Sequence, residues 1–155
     1  MFTFGKIPTY QSNDKFDLAV SDDKRALTLT FSDLQVTVGG SKSPAPMSTR
    51  VFSLVVPLEG KDERVEIEFG VSAFIKTLDG ATATIVSSVN GQSTVADFPA
   101  NSEQSLVQQL KFTGQSPSEC RLCVVLLVGR DTKNSNAEAF LNVTAIDAEI
   151  LPRAR

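Results

Sequence analysis

The sequence predicts an all-β fold, a single antiparallel β-sandwich of the jelly-roll or immunoglobulin-like kind. Three observations predict it. Apolar and polar residues alternate over one short run after another, the period-two pattern of strands with one buried face. Asp-Gly, Asn-Gly and Ser/Asp/Gly clusters separate those runs at strand-length intervals. The most apolar stretch, Cys120-Arg121-Leu122-Cys123-Val124-Val125-Leu126-Leu127-Val128, is Val-rich and closed by Gly129. It is too short for a membrane span, which takes roughly 20 apolar residues. It reads instead as a central strand that needs cover on both faces. About eight or nine strands fit the pattern. A chain of 155 residues is one domain and can bury roughly two thirds of its unfolded surface.

Residues 1–14 read as an arm: Pro8, Gln11, Ser12, Asn13 and Asp14 make it polar and irregular, with Phe2, Phe4, Ile7 and Tyr10 as anchors. Chain ends fray unless tied down, so the arm is expected to dock on its own domain or on a neighbour. Residues 15–155 form the sandwich. Phe16, Leu18 and Val20 make a first strand, and Ser21-Asp22-Asp23-Lys24 turns the chain. Leu27, Leu29 and Phe31 then share one face, and Leu34, Val36 and Val38 follow in the opposite phase. The shift at Ser32-Asp33 predicts a β-bulge in one long strand rather than a hairpin, because Ser-Asp is a poor two-residue turn.

Gly39 to Ser48 is the longest stretch of low hydrophobicity and reads as a surface loop, with Lys42, Pro44, Pro46 and Met47 as its contact residues. A strand over 51–56 follows, with Phe52, Leu54 and Val56 on one face, before Pro57-Leu58-Glu59-Gly60 turns the chain. Val65, Ile67, Phe69, Val71, Ala73 and Ile75 form the clearest amphipathic strand. Asp79-Gly80 and Asn90-Gly91 predict type I′ turns, because these residues tolerate positive φ at both turn positions. Together they predict a meander of strands over roughly 64–77, 81–89 and 92–98, with Val86 opposite Val95. Over 101–112 either Asn101 caps a short helix burying Leu106, Val107 and Leu110, or Leu106, Leu110 and Phe112 share a strand face. The surrounding strands favour the second. After a polar turn at 132–136 the last strand carries Ala139, Leu141, Val143 and Ala145 on one side and Phe140, Ile146, Ala148 and Ile150 on the other, and Pro152 ends it.

The run from Ser21 through Ala26-Leu27-Thr28-Leu29-Thr30-Phe31 to Asp33, followed by Val36-Thr37-Val38-Gly39 and by Ser48-Thr49-Arg50 ahead of Val51, resembles the opening of a family of small, uncharacterised secreted β-sandwich proteins. The likeness covers about a third of the chain. What it implies is the fold. The sequence departs from that family in lacking a signal peptide and a cysteine near Arg50.

Composition excludes more than it assigns. Apolar residues are 41% and charged residues 21%, with a net charge of −3. No Lys/Arg cluster is present, so a nucleic-acid partner is not expected. There is no His, which removes the commonest general base, the Ser-His and Cys-His pairings and the commonest metal ligand. The opening Met-Phe-Thr-Phe-Gly-Lys-Ile-Pro has no apolar core and no small-residue cleavage site. The compartment stays open between an intracellular one and secretion or a particle after processing. Asn142-Val143-Thr144 fits a glycosylation sequon, but it lies inside a strand and reads as chance.

Cys120 and Cys123 are the one Cys-x-x-Cys pair. A tetrahedral zinc site needs two further ligands, and with no His and no other Cys only carboxylates remain, so zinc is not expected; redox pairs of this spacing open helices rather than strands. Along a strand, residues three apart lie roughly 10 Å apart at Cα on opposite faces, beyond the roughly 7 Å a disulfide spans. Two small buried thiols are expected. Asp22, Asp23 and Asp33, like Asp62 and Glu63, are read as solvated turn residues rather than calcium ligands, since no Asp-x-Asp-x-Asp-Gly loop is present. Glu66 and Glu68 share a strand face at about 6.5–7 Å, a spacing open to a glycosidase pair, yet alternating charge on a wet face explains them. Ser53, Lys42 and Lys76 lack a nucleophile's context. Sugar-binding sandwiches often stack exposed Trp or Tyr on sugar faces; here there is no Trp and only Tyr10.

No catalytic residue, metal or cofactor is expected. The leading expectation is a non-enzymatic structural or interaction module, a self-associating subunit of a coat, shell, filament or appendage, whose arm adds to a neighbour's sheet. Its partner would be itself or another protein. The alternative is a monomeric sandwich that binds carbohydrate or lipid through the loops at 39–48 and 131–136.

Overall fold

The computed structural model describes residues 2–5, 10–11, 13–40, 44–60, 64–99, 101–115 and 117–152. They form eleven strands: β1 (Thr3–Phe4), β2 (Tyr10–Gln11), β3 (Phe16–Val20), β4 (Ala26–Val38), β5 (Met47–Glu59), β6 (Arg64–Leu78), β7 (Thr82–Val89), β8 (Gln92–Phe98), β9 (Glu103–Gln115), β10 (Glu119–Gly129) and β11 (Glu138–Ile150). The nine longer strands are those the alternation predicts; β1 and β2 are added by the arm. One sheet runs β1-β5-β10-β7-β8, with β2 also paired to β5, and the other runs β3-β4-β11-β6-β9. All pairs are antiparallel, so the chain is an antiparallel β-sandwich.

Alternate residues of each sheet face inward and fill one core. Its two open sides close differently. On one side Phe52 packs edge to face with Phe16 and Phe31, ring centroids 5.6 and 4.9 Å apart, and Phe16 and Phe31 are tilted at 5.9 Å. On the other, Gln108 of β9 reaches across to the second sheet. Its amide oxygen accepts the Ser87 hydroxyl, and its nitrogen donates to the carbonyls of Ile85 and Thr94 at 3.3 and 3.4 Å.

Four expectations need correction. The Asp79-Gly80 turn forms as predicted, with φ of 51° and 89°, but it does not join neighbours in one sheet. β6 pairs with β9 and β11, and β7 with β8 and β10, so the turn carries the chain between sheets. A turn fixes a reversal; the partner edge decides which sheet receives the next strand. The crossing falls at Ala81, small and fully buried. The Asn90-Gly91 turn does close a hairpin, and Val86 stands opposite Val95.

β10 is central, between β5 and β7, but only Cys120, Leu122, Val124, Leu126 and Val128 enter the core. The other face is half-covered, and there Val51, Val125, Val86 and Val95 form one row across four strands.

In β11 the register slips between Val143 and Ala145 on both neighbours. Thr144 is the extra residue, so Ile146, Ala148 and Ile150 face the core with Ala139, Leu141 and Val143. The expected second side keeps only Phe140 facing out. The partner irregularity is the predicted bulge: Leu34 pairs with Val143 and Thr30 with Ala145, which leaves Phe31, Ser32 and Asp33 opposite Thr144.

Finally, β5 is longer than expected at both ends. Met47 and Ser48 belong to it rather than to the loop, and it continues through Pro57 to Glu59. Pro57 has no N–H to give, but its carbonyl accepts the Gly5 N–H at 2.7 Å. The segment from 101 onward is β9, with Asn101 in a positive-φ turn (63°) rather than at a helix cap.

Candidate functional site

The site is built on the outer face of the five-stranded sheet. β6 and β11 pair in register, and on that face Phe140 stands opposite Lys76 and Asn142 opposite Phe74. Phe74 and Phe140 are therefore diagonal neighbours, near enough for large side chains to meet. Their ring centroids are 6.3 Å apart and their planes tilted by 54°. Both rings are half-buried, standing on the side of the sheet away from the core. Adjacent strands extend the two rows: Thr37 and Glu103 flank Phe140 and Lys76, and Gln35 and Ser105 flank Asn142 and Phe74.

A hollow lies on each side of the ring pair. One, of about 350 Å³, is walled by Ser72, Phe74, Ser105, Leu106, Val107 and Thr144. The other, of about 240 Å³, is walled by Thr37, Gly39, Gly40, Lys76, Glu138 and Phe140. The Thr144 bulge shapes the first. The second owes its floor to Gly39, held at φ +83°, where a Cβ would sit 2.2 Å from the Ala137 carbonyl oxygen. Each hollow thus joins an aromatic ring to hydroxyl, ammonium or carboxylate groups. The arrangement can stack a flat apolar surface and hydrogen-bond the polar groups around it.

The residues singled out from the sequence fall elsewhere. Phe2 and Phe4 are buried at 3% and 1% exposure in the chain's own core. β1 and β2 pair with β5 of the same chain, with Tyr10 beside Val55, so the arm docks on its own domain. Ile7 and Lys42 lie outside the described residues. Pro44 and Pro46 are exposed, and Met47 is 61% exposed at the start of β5. Arg130 ties their segment down: its guanidinium donates to the carbonyls of Pro44 and Ala45 at 2.7 and 3.1 Å, and its N–H to that of Pro46 at 2.9 Å. Pro44 to Pro46 and Arg130 therefore sit together at one end of the sandwich.

Cys120 is buried, Cys123 is half-buried on the outer face of the other sheet, and both are free. Burial pushes the Cys120 thiol up to about 12. The Ser21 hydroxyl, then the Arg25 N–H, hold the Asp23 carboxyl below its usual range; these are the bonds of a solvated turn. Glu66 pairs with Lys111 at 3.1 Å. Among the described residues no group of three or more His, Cys, Asp or Glu is placed to hold a metal, and no helix is long and apolar enough to cross a membrane.

No family model and no curated protein matches the chain. Solved structures do show likenesses. Dimeric latent PorU from Porphyromonas gingivalis matches with a TM-score of 0.43 and 13% identity over 93% of this chain, which spans 14% of that one. TmCBM61, solved with β-1,4-galactotriose, matches with a TM-score of 0.33 and 9% identity over 97% of this chain and 91% of its own. The carbohydrate-binding module CBM6cm-2 of Cellvibrio mixtus lichenase 5A matches with a TM-score of 0.24 and 10% identity over 96% and 95%. Identity this low leaves the site to be read from its own residues.

Sequence reasoning missed Phe74 and Phe140 as a site because it looked to Trp and Tyr for stacking platforms. The signal was present: Phe74 interrupts the polar side of the clearest amphipathic strand. Its nearness to Phe140 depends on pairing between strands far apart in the chain.

Proposed function

We propose that the chain is a non-catalytic carbohydrate-binding β-sandwich that takes its ligand on the outer face of the five-stranded sheet. The observation that carries the reading is the diagonal Phe74–Phe140 pair, half-exposed, with a hollow on either side that sets hydroxyl, ammonium or carboxylate groups among apolar ones. A sugar ring offers an apolar C–H face and a rim of hydroxyls. The aromatic rings suit the first, and Lys76, Glu138, Ser105, Ser72 and Thr37 suit the second. The hollows are open and mix apolar wall with hydroxyl, ammonium and carboxylate groups, which fits a ligand with both C–H faces and hydroxyls better than an acyl chain. The Val51–Val125–Val86–Val95 face of the other sheet is aliphatic and lacks this combination. An arm seated on its own β5 gives no support to a subunit that lends its arm to a neighbour.

The test is a glycan array on the full chain, with hits checked by thermal shift, since a ligand that binds only the native state raises Tm. The expected result is at least one neutral glycan whose binding and Tm shift disappear in Phe74→Ala and Phe140→Ala while both variants stay folded. Array hits that survive both substitutions, or no hit at all, would sink the reading.

A further inference from the structure

We infer that the ligand of this face is an extended, uncharged oligosaccharide lying obliquely across β4, β11, β6 and β9, one end in the Lys76–Glu138 hollow and the other in the Ser72–Ser105–Val107 hollow. The inference rests on the carbohydrate reading and goes beyond it in length, course and charge.

Length and course follow from the sheet. The first hollow begins at Thr37 and Gly39–Gly40, at the end of β4, and reaches Phe140 of β11 and Lys76 of β6. The second begins at Thr144 of β11 and reaches Ser105 and Val107 on β9. From β4 to β9 there are three strand spacings, about 14–15 Å, and the rows of Thr37 and Val107 differ by two positions along the face, about 13 Å. The oblique path is thus about 20 Å long. One sugar ring covers one aromatic ring and cannot reach both hollows. The 54° tilt between the Phe planes suits two successive sugar rings turned relative to each other, not one flat ring lying on both.

Charge follows from what surrounds the path. Lys76 shares its hollow with Glu138 and stands opposite Glu103 across the β6–β9 pair. Farther down the same face lie Glu68, Asp147 and Glu149, while Lys111 is engaged by Glu66. Uronic or sulfated chains would meet excess negative charge. Neutral hydroxyls can accept from the Lys76 ammonium and donate to the Glu138 carboxylate.

The experiment titrates the full chain by calorimetry and amide NMR with mono- to hexasaccharide ladders of β-1,4-glucose, β-1,3-glucose and β-1,4-galactose, and with an oligogalacturonate ladder. In one neutral ladder affinity should rise at least about tenfold, or 1.4 kcal/mol, from the monosaccharide to the tetrasaccharide, then level off. Ser105→Trp, which fills the hollow on β9, and Lys76→Ala, at the other end, should each remove much of that gain. Equal affinity at all lengths, tighter binding of the oligogalacturonates, or a gain that survives both variants would overturn this inference and leave the Phe platform standing. Loss of all binding in Phe74→Ala belongs to the platform itself, and silence in every ladder would overturn both.

Discussion

Among the described residues Gln108 is the one large buried polar side chain, 7% exposed, and Ser87 beside it is fully buried. Buried polar groups are tolerable when bonded and expensive when not. Ser87→Ala leaves the Gln108 amide oxygen without its hydroxyl and should lower stability by about 1–3 kcal/mol. Adding Gln108→Leu removes the stranded amide, so the double variant should recover part of that loss. Urea unfolding of the four proteins in the cycle measures it, and strict additivity would show that the two side chains do not act together.

The two thiols differ as sharply. Iodoacetamide should label Cys123 in the native protein and Cys120 only after unfolding, read by peptide mass spectrometry. The pH dependence has a definite sign. Cys120 titrates near 9.0 when unfolded and at about 12 when folded. Below pH 9 both states keep the proton and its full contribution to stability is present. Between pH 9 and 12 the unfolded chain loses the proton first, so stability falls with rising pH. Cys120→Ala should flatten that fall relative to the parent protein. An equal fall in both would assign the alkaline loss to other groups.

At the scale of the strand, what the sequence discloses is local and what it hides is pairing. The first strand, the Ser32–Asp33 bulge and the Asn90–Gly91 turn were legible because each depends on residues close in sequence. Asn90 then does more than turn. Its side chain accepts the Arg121 N–H at 2.7 Å and donates to the Glu119 carbonyl at 3.0 Å, fastening the hairpin to β10. The jump of β6 and β7 into different sheets was not legible, because nothing near Asp79-Gly80 encodes which edge receives β7. The phase shift at Thr144 was hidden by residues that read well on either side: Ala145, Ile146 and Ala148 suit both faces of a strand. The candidate site inherits this blindness, since Phe74 and Phe140 are joined only by the β6–β11 register. Gly39 is where one residue controls an element junction. Its φ of +83° and the nearby Ala137 carbonyl should make Gly39→Ala cost about 1–3 kcal/mol or more. Unfolding in urea checks the cost, and weaker oligosaccharide binding should accompany it, because Gly39 lines the hollow at that end.

At the scale of the whole molecule, the arm strands cover a sheet edge. A sheet edge with unpaired N–H and C=O groups is a template for another chain. β5 would be such an edge; β1 and β2 cover it at Leu58–Glu59 and Leu54–Val55. Phe2 and Phe4 hold the cover in place, and burying each contributes about 1.5–3 kcal/mol. The Phe2 ring lies against Gly60, where a Cβ would come within 2.5 Å of it. Asp14 adds an ion pair to Arg50 at 2.6 Å just after the arm strands. The anchors expected to serve a neighbour are thus spent on the chain's own edge. Deleting residues 1–12 should then lower Tm and convert a single chain into concentration-dependent oligomers through the bared β5 edge, measured as absolute mass by light scattering on a sizing column. A truncated chain that stays single with an unchanged Tm would mean that β5 needs no cover. An oligomer of the full chain that the deletion dissolves would mean that the arm does serve a neighbour in solution.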